Sequence, residues 1–170
     1  MDHPTPKELD TLRDQISELA DGPIVVLGVG NELRGDDALG VVLAERMEGR
    51  VGATVIITHD VPENHAVRVA EMKPGLVLLL DAADMGAPPG AVRLIPAEQV
   101  PAVPGGSHRP SLEMFAAFVR LECGAPSYIL GVQPNLEHVG MGDAMSAEVA
   151  QALDRLEPLL VAVLARSRQG

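Results

Sequence analysis

Two adjacent carboxylates, Asp36 and Asp37, close the stretch Gly28-Val29-Gly30-Asn31-Glu32-Leu33-Arg34-Gly35, which directly follows the apolar run at 24–27. The pattern reads as a strand, a glycine-rich turn and a helix that opens on acid. Turns of this kind usually receive phosphate, because the amides at a helix N-terminus attract anions. Here the two aspartates are placed to satisfy those amides and the positive end of the helix dipole themselves. A phosphate would meet two negative charges. The chemistry that suits the turn is cation binding or acid/base work.

Further candidates lie downstream. Asp81 ends an apolar run at 76–80, and His108 sits in the loop Gly105-Gly106-Ser107-His108-Arg109-Pro110. In open α/β sheets ligands bind beyond the C-terminal ends of the strands. If the strands that precede Asp37 and Asp81 are neighbours, the two carboxylates approach each other. With one imidazole they form a donor set for a borderline divalent ion such as zinc, nickel or iron. Three protein ligands would leave positions open for a substrate group. Each residue also has a plainer reading. An aspartate at a helix start serves as a cap, one at a strand end forms turns, and a lone loop histidine faces solvent. The same plain reading covers His3, His65 and His138, with His59, after the second strand, as the reserve ligand. A dinucleotide fingerprint is not met, since its third glycine position holds Leu33. Neither Gly-x-Ser-x-Gly nor His-Glu-x-x-His occurs.

The elements that must position these residues follow from the hydrophobic pattern. Thr5-Pro6-Lys7-Glu8 is a capping box with proline at the first helical position. The helix after it carries Leu9, Leu12, Ile16 and Leu19 on one stripe and ends at Asp21-Gly22-Pro23. It is predicted to be an accessory helix that docks on the domain, within an N-terminal extension spanning 1–22. Strands are predicted at 24–28, 53–58 and 76–80, as continuous apolar runs of the kind buried on both faces. Helices are predicted at 36–47 and 63–72. A short strand at 91–95 follows a connection too short for a helical crossover, and so should run antiparallel to the third strand. A helix at 111–123, a strand at 127–132 and a final helix capped by Ser146 complete the chain, with Pro158 expected to kink or restart the last helix. Strand–helix alternation of this kind implies an α/β domain with a largely parallel sheet. No domain boundary interrupts the sequence, so 1–170 reads as one domain.

Composition narrows the partners. The chain has 170 residues, is 46% hydrophobic and carries a net charge of −11. That surface repels nucleic acid and anionic membrane, and neither is expected as a partner. The single cysteine, Cys123, excludes an internal disulfide and reads as a small buried hydrophobe. No apolar run is long enough to span a bilayer and no secretion signal is visible, which points to the cytoplasm.

The segments together resemble the [NiFe]-hydrogenase maturation endopeptidases. The likeness begins at Gly28-Val29-Gly30-Asn31-Glu32-Leu33-Arg34-Gly35-Asp36-Asp37. It continues through Val61-Pro62-Glu63-Asn64, Leu79-Leu80-Asp81-Ala82-Ala83-Asp84-Met85-Gly86, Pro89-Gly90, Gly106-Ser107-His108 and Leu130-Gly131-Val132-Gln133-Pro134. The Asp-Ala-x-Asp-Met-Gly and Gly-x-Gln-Pro segments are similar to the branch serving hydrogenase 3, of the formate hydrogenlyase complex. The resemblance covers roughly residues 24–165, which fits a single-domain protein. It implies a three-layer α/β/α sandwich with a five-stranded, mostly parallel mixed sheet. It implies removal of a C-terminal extension from the hydrogenase large-subunit precursor after nickel insertion. It also implies that Asp37, Asp81 and His108 bind nickel carried by the substrate, with zinc or cadmium as substitutes in a crystal. Asp36 or Asp37 is then the candidate general base. A nickel-binding chaperone without peptidase activity would use the same ligands. Relatives commonly carry Asp-Gly-Gly-Ser/Thr after the second strand, whereas this chain has Thr58-His59-Asp60-Val61-Pro62-Glu63.

Overall fold

The computed structural model describes residues 4–99 and 109–165. Its centre is β1 (Ile24–Val29), whose six residues are all buried. It pairs in parallel with β2 (Thr54–His59) on one side and β3 (Leu76–Ala82) on the other. Beyond β3 lies β5 (Ser127–Val132), also parallel, and β4 (Val92–Pro96) closes that edge antiparallel to β5. The strand order is β2-β1-β3-β5-β4.

Side chains alternate across the strands, so the sheet feeds two cores. Val26, Leu76, Leu78, Leu80, Leu130 and Val132 face one of them. There they meet α1 (Pro6–Leu19), α2 (Leu39–Met47) and α5 (Ala147–Ala165). Val25, Leu27, Val77, Leu79 and Ile129 face the other, against α3 (Ala66–Glu71) and α4 (Arg109–Cys123). The result is a three-layer α/β/α sandwich with a mostly parallel five-stranded sheet. Gly40 brings α2 hard against the sheet. A Cβ there would stand 2.0 Å from the carbonyl oxygen of Leu80, so no larger residue permits the approach. Among the described residues no helix is long and apolar enough to cross a membrane.

Several expectations need correction. The helix expected from Asp36 is a 3-10 turn, Gly35–Ala38, followed by α2 from Leu39. The helix expected at 63–72 likewise opens as a 3-10 turn, Pro62–His65, before α3. The second strand is not buried on both faces. It is an edge, with Thr54 and His59 exposed. β4 is antiparallel as expected, but its neighbour is β5, which enters between it and β3. Pro158 does not restart the last helix, since α5 continues through it. Cys123 is half-buried, and its thiol donates to the carbonyl of Val119 at 3.2 Å. The N-terminal helix does form on its capping box, with Thr5 and Glu8 exchanging hydrogen bonds. It is less of an accessory than its place in the chain suggests, because Leu12 and Ile16 belong to the core.

Candidate active site

Asp36 and Asp37 lie on the turn that follows β1, and Asp81 lies near the C-terminal end of β3. These strands are hydrogen-bonded neighbours with Gly28 opposite Leu80, so Asp81 stands one residue beyond the last matched pair. Asp81 is 2% exposed. The 3-10 turn that carries Asp36 and Asp37 packs against β3.

Adjacent in sequence, the two aspartates have different surroundings. Asp36 is fully buried. Its Oδ1 accepts from the Ser146 amide at 2.7 Å, and its Oδ2 accepts from the Ser146 hydroxyl and the Asn135 amide, both at 2.8 Å. It therefore does not cap its own helix, as the sequence suggests. It fixes the start of α5 and the segment after β5 to the glycine-rich turn. Asp37 is half-buried, and its Oδ2 accepts from the Asn31 amide at 3.2 Å. Neither the 3-10 turn nor α2 carries a side-chain cap, which corrects the expectation that the aspartates satisfy the helix amides. Gly35 holds the turn's left-handed corner at φ 53°, where a Cβ would meet the carbonyl oxygen of His138 at 1.9 Å.

Gln133, buried at the end of β5, organises the loop after Asp81. Its Oε1 accepts from the amides of Met85 at 2.6 Å and Ala87 at 3.3 Å, and its Nε2 donates to Asp84 at 3.1 Å. Its importance was legible only as one letter of the Gly-x-Gln-Pro segment. Glu63, on the 3-10 turn after β2, is a second residue that the reading of single side chains missed. Its Oε2 is buried and finds no hydrogen-bond partner among the described residues, a rare state for a carboxylate oxygen. Its signal was the Val-Pro-Glu-Asn segment. His59 ends β2 with φ 51°, a left-handed backbone that glycine adopts most readily. Its carbonyl accepts from the Gly30 amide at 3.1 Å. His108 lies outside the described residues. Among the described residues no group of three His, Cys, Asp or Glu side chains is set to hold a metal ion. Asp37 and Asp81 thus stand as two carboxylates at one rim, suited to gripping a cation or activating water.

The sequence model of a family described as hydrogenase maturation protease matches residues 60–163. The hydrogenase 3 maturation protease of Escherichia coli K12 is 31% identical over 133 residues, which cover 76% of this chain and 83% of that protein. The chain belongs to the hydrogenase maturation proteases. Its fold agrees. The crystal structure of the [NiFe] hydrogenase maturation protease HycI from Thermococcus kodakarensis superposes with a TM-score of 0.79 at 27% identity, covering 91% of this chain and 98% of that one. The hydrogenase-maturating endopeptidase HybD of E. coli gives a TM-score of 0.67 at 25% identity, covering 83% and 91%. This maturation protease is accordingly a hydrolase of peptide bonds. The family match spans Asp81 and Gln133, and the glycine-rich turn with Asp37 lies upstream of it.

Proposed function

We propose that this cytoplasmic protease removes a C-terminal extension from a hydrogenase large-subunit precursor once nickel has been inserted, and that it recognises the precursor by that nickel. Asp37, Asp81 and His108 would hold the metal as part of the substrate. The donor set fits: two carboxylates and an imidazole suit a borderline divalent ion, and three protein ligands leave positions for donors of the precursor. The observation that supports the reading is the packing of the turn that carries Asp37 against β3, near whose C-terminal end Asp81 lies, in a chain of this family.

Hydrolysis adds water across one peptide bond, its oxygen to the carbonyl carbon and a proton to the leaving amine. Fixing the tail against the rim supplies much of the advantage, because an oriented bond and a nearby base replace a bimolecular encounter. Asp37, half-buried and oriented by Asn31, is the better placed of the adjacent aspartates to take a proton from water, which makes the cleavage aspartic in type. Asp36, with both oxygens engaged, positions the turn.

The test is a mass measurement on purified, nickel-loaded precursor. The wild-type protein shortens the polypeptide, whereas Asp37→Asn and His108→Ala leave its mass unchanged. Full cleavage by both variants rejects recognition through the metal. A wild-type protein that takes up nickel while the precursor keeps its mass is a chaperone instead.

A further inference from the structure

Beside Asp37 the surface changes character. Leu33, Leu136 and Met141 are 66%, 59% and 69% exposed, three large apolar side chains on two loops far apart in sequence. The loops are laced together. Gly142 donates to the Leu33 carbonyl at 2.7 Å, the Arg34 Nε to the Val139 carbonyl at 3.1 Å, and Asn135 to the Asp36 carboxylate at 2.8 Å. Leu33 thus neighbours the Met141 loop, while Leu136 adjoins the residue tied to Asp36. These side chains are held out on a hydrogen-bonded platform, so a partner that covers them orders little new backbone. Clustered exposed apolar groups with a polar rim mark interaction sites. Acid predominates on these loops: Glu32, Glu137 and Asp143 are exposed, beside the half-buried Arg34 and His138.

We infer that this platform docks the protein substrate outside its scissile tail, through a face of the precursor with an apolar centre and basic side chains around it. The inference rests on the protease reading above and names how that site reaches its partner. Two features select this occupant. The platform is continuous with the turn carrying Asp37, through the Asn31 amide on Asp37 and the Asp37 amide on the Arg34 carbonyl at 3.0 Å. Leu33 and Asp37 therefore belong to one hydrogen-bonded turn. The predominance of acid on these loops, in a chain of net charge −11, favours a cationic counterpart. The platform acts in binding and takes no part in the chemistry.

The experiment uses the full chain and the purified nickel-loaded large-subunit precursor, with cleavage kinetics and direct binding measured side by side. In the triple variant Leu33→Ser, Leu136→Ser, Met141→Ser, KM should rise about tenfold or more while kcat stays within about twofold, since exposed anchors contribute ground-state binding. Thermal unfolding checks that the variant is folded. Binding by the wild type should weaken as salt is raised from about 50 to about 500 mM, and Glu137→Lys should flatten that dependence. An unchanged KM overturns the inference, and so does a fall in kcat alone. A wild-type dimer that the triple variant dissolves overturns it in favour of a second copy as occupant. If the wild type cleaves nothing, the protease reading has failed, and the binding arm still decides docking: equal affinity of wild type and triple variant for the precursor overturns it.

Discussion

Asp36 and Asp37 share a backbone and a turn, yet the free-energy terms that act on them differ. Asp36 is fully buried, and its carboxylate accepts three hydrogen bonds, two from Ser146 and one from Asn135. Hydrogen bonds to a charged group are among the stronger ones, and a buried donor left without its acceptor costs about 1–3 kcal/mol. Asp36→Ala should therefore destabilise the protein by about 3 kcal/mol or more in urea unfolding, with activity lost only as the turn loosens. Asp37→Asn keeps an oxygen to accept from Asn31, and should stay within about 1 kcal/mol of wild-type stability while abolishing cleavage. If instead Asp37→Asn unfolds the protein and Asp36→Ala leaves it stable, the two roles are exchanged. The sequence made both carboxylates visible as an unusual pair after a glycine-rich turn. It could not tell them apart, because the partners of Asp36 lie 99 and 110 positions away. Local chemistry is legible in a chain, whereas contact between loops after β1 and β5 is decided by the sheet that brings them together.

At the level of elements, what reads cleanly is what is short-range. The capping box starts α1 where its residues require, and the apolar runs mark β1 and β3 to within two residues at their ends. What reads poorly depends on neighbours. β2 has the apolar content of an inner strand but stands at an edge, because among the described residues no further strand pairs with it there. The short connection before β4 gives its direction correctly. The strand beside it is set by where α4 returns the chain, and that return places β5 against β3. The N-terminal helix shows how packing outweighs position in the chain. Ile16 is completely buried among the residues that join α1, α5 and the sheet, and Arg155 of α5 donates to the carbonyl of Pro4 at 2.7 Å. Ile16→Ala should cost about 2–5 kcal/mol, the range for removing a large aliphatic side chain from a core that cannot fully collapse. Thr5→Ala, which removes only the cap, should cost about 1 kcal/mol. Chemical unfolding of both variants is the check. Equal, small effects would mean that α1 is a detachable appendage.

For the molecule as a whole, the excess of acid sets how stability responds to pH, and two glutamates pull in opposite directions. Glu45, on α2, is raised above the ordinary carboxylate value of 4.5 by partial burial, then by the charges and a shared hydrogen bond of Glu32 and the charge of Glu48. A raised carboxylate binds its proton more tightly in the folded state, so it opposes folding at neutral pH and the penalty fades as pH falls through its raised value. Glu157, on α5, is held below 4.5, first by its hydrogen bond from Arg50, then by that from Arg46. A depressed carboxylate favours folding above its unfolded value, and that contribution is lost as pH drops below 4.5 toward its folded value. Glu45→Gln should therefore raise the melting temperature at neutral pH, and Glu157→Gln should lower it. Both effects are small because the groups meet solvent, where ion pairs contribute little. On acidification the Glu45→Gln gain should disappear first, above 4.5, and the Glu157→Gln loss only below it. Added salt should shrink both shifts by screening. Melting curves of the three proteins across this range, at low and high salt, decide the matter. Shifts of the same sign at neutral pH would mean that the repulsion among Glu32, Glu45 and Glu48, or the clamp between α2 and α5, does not operate in solution.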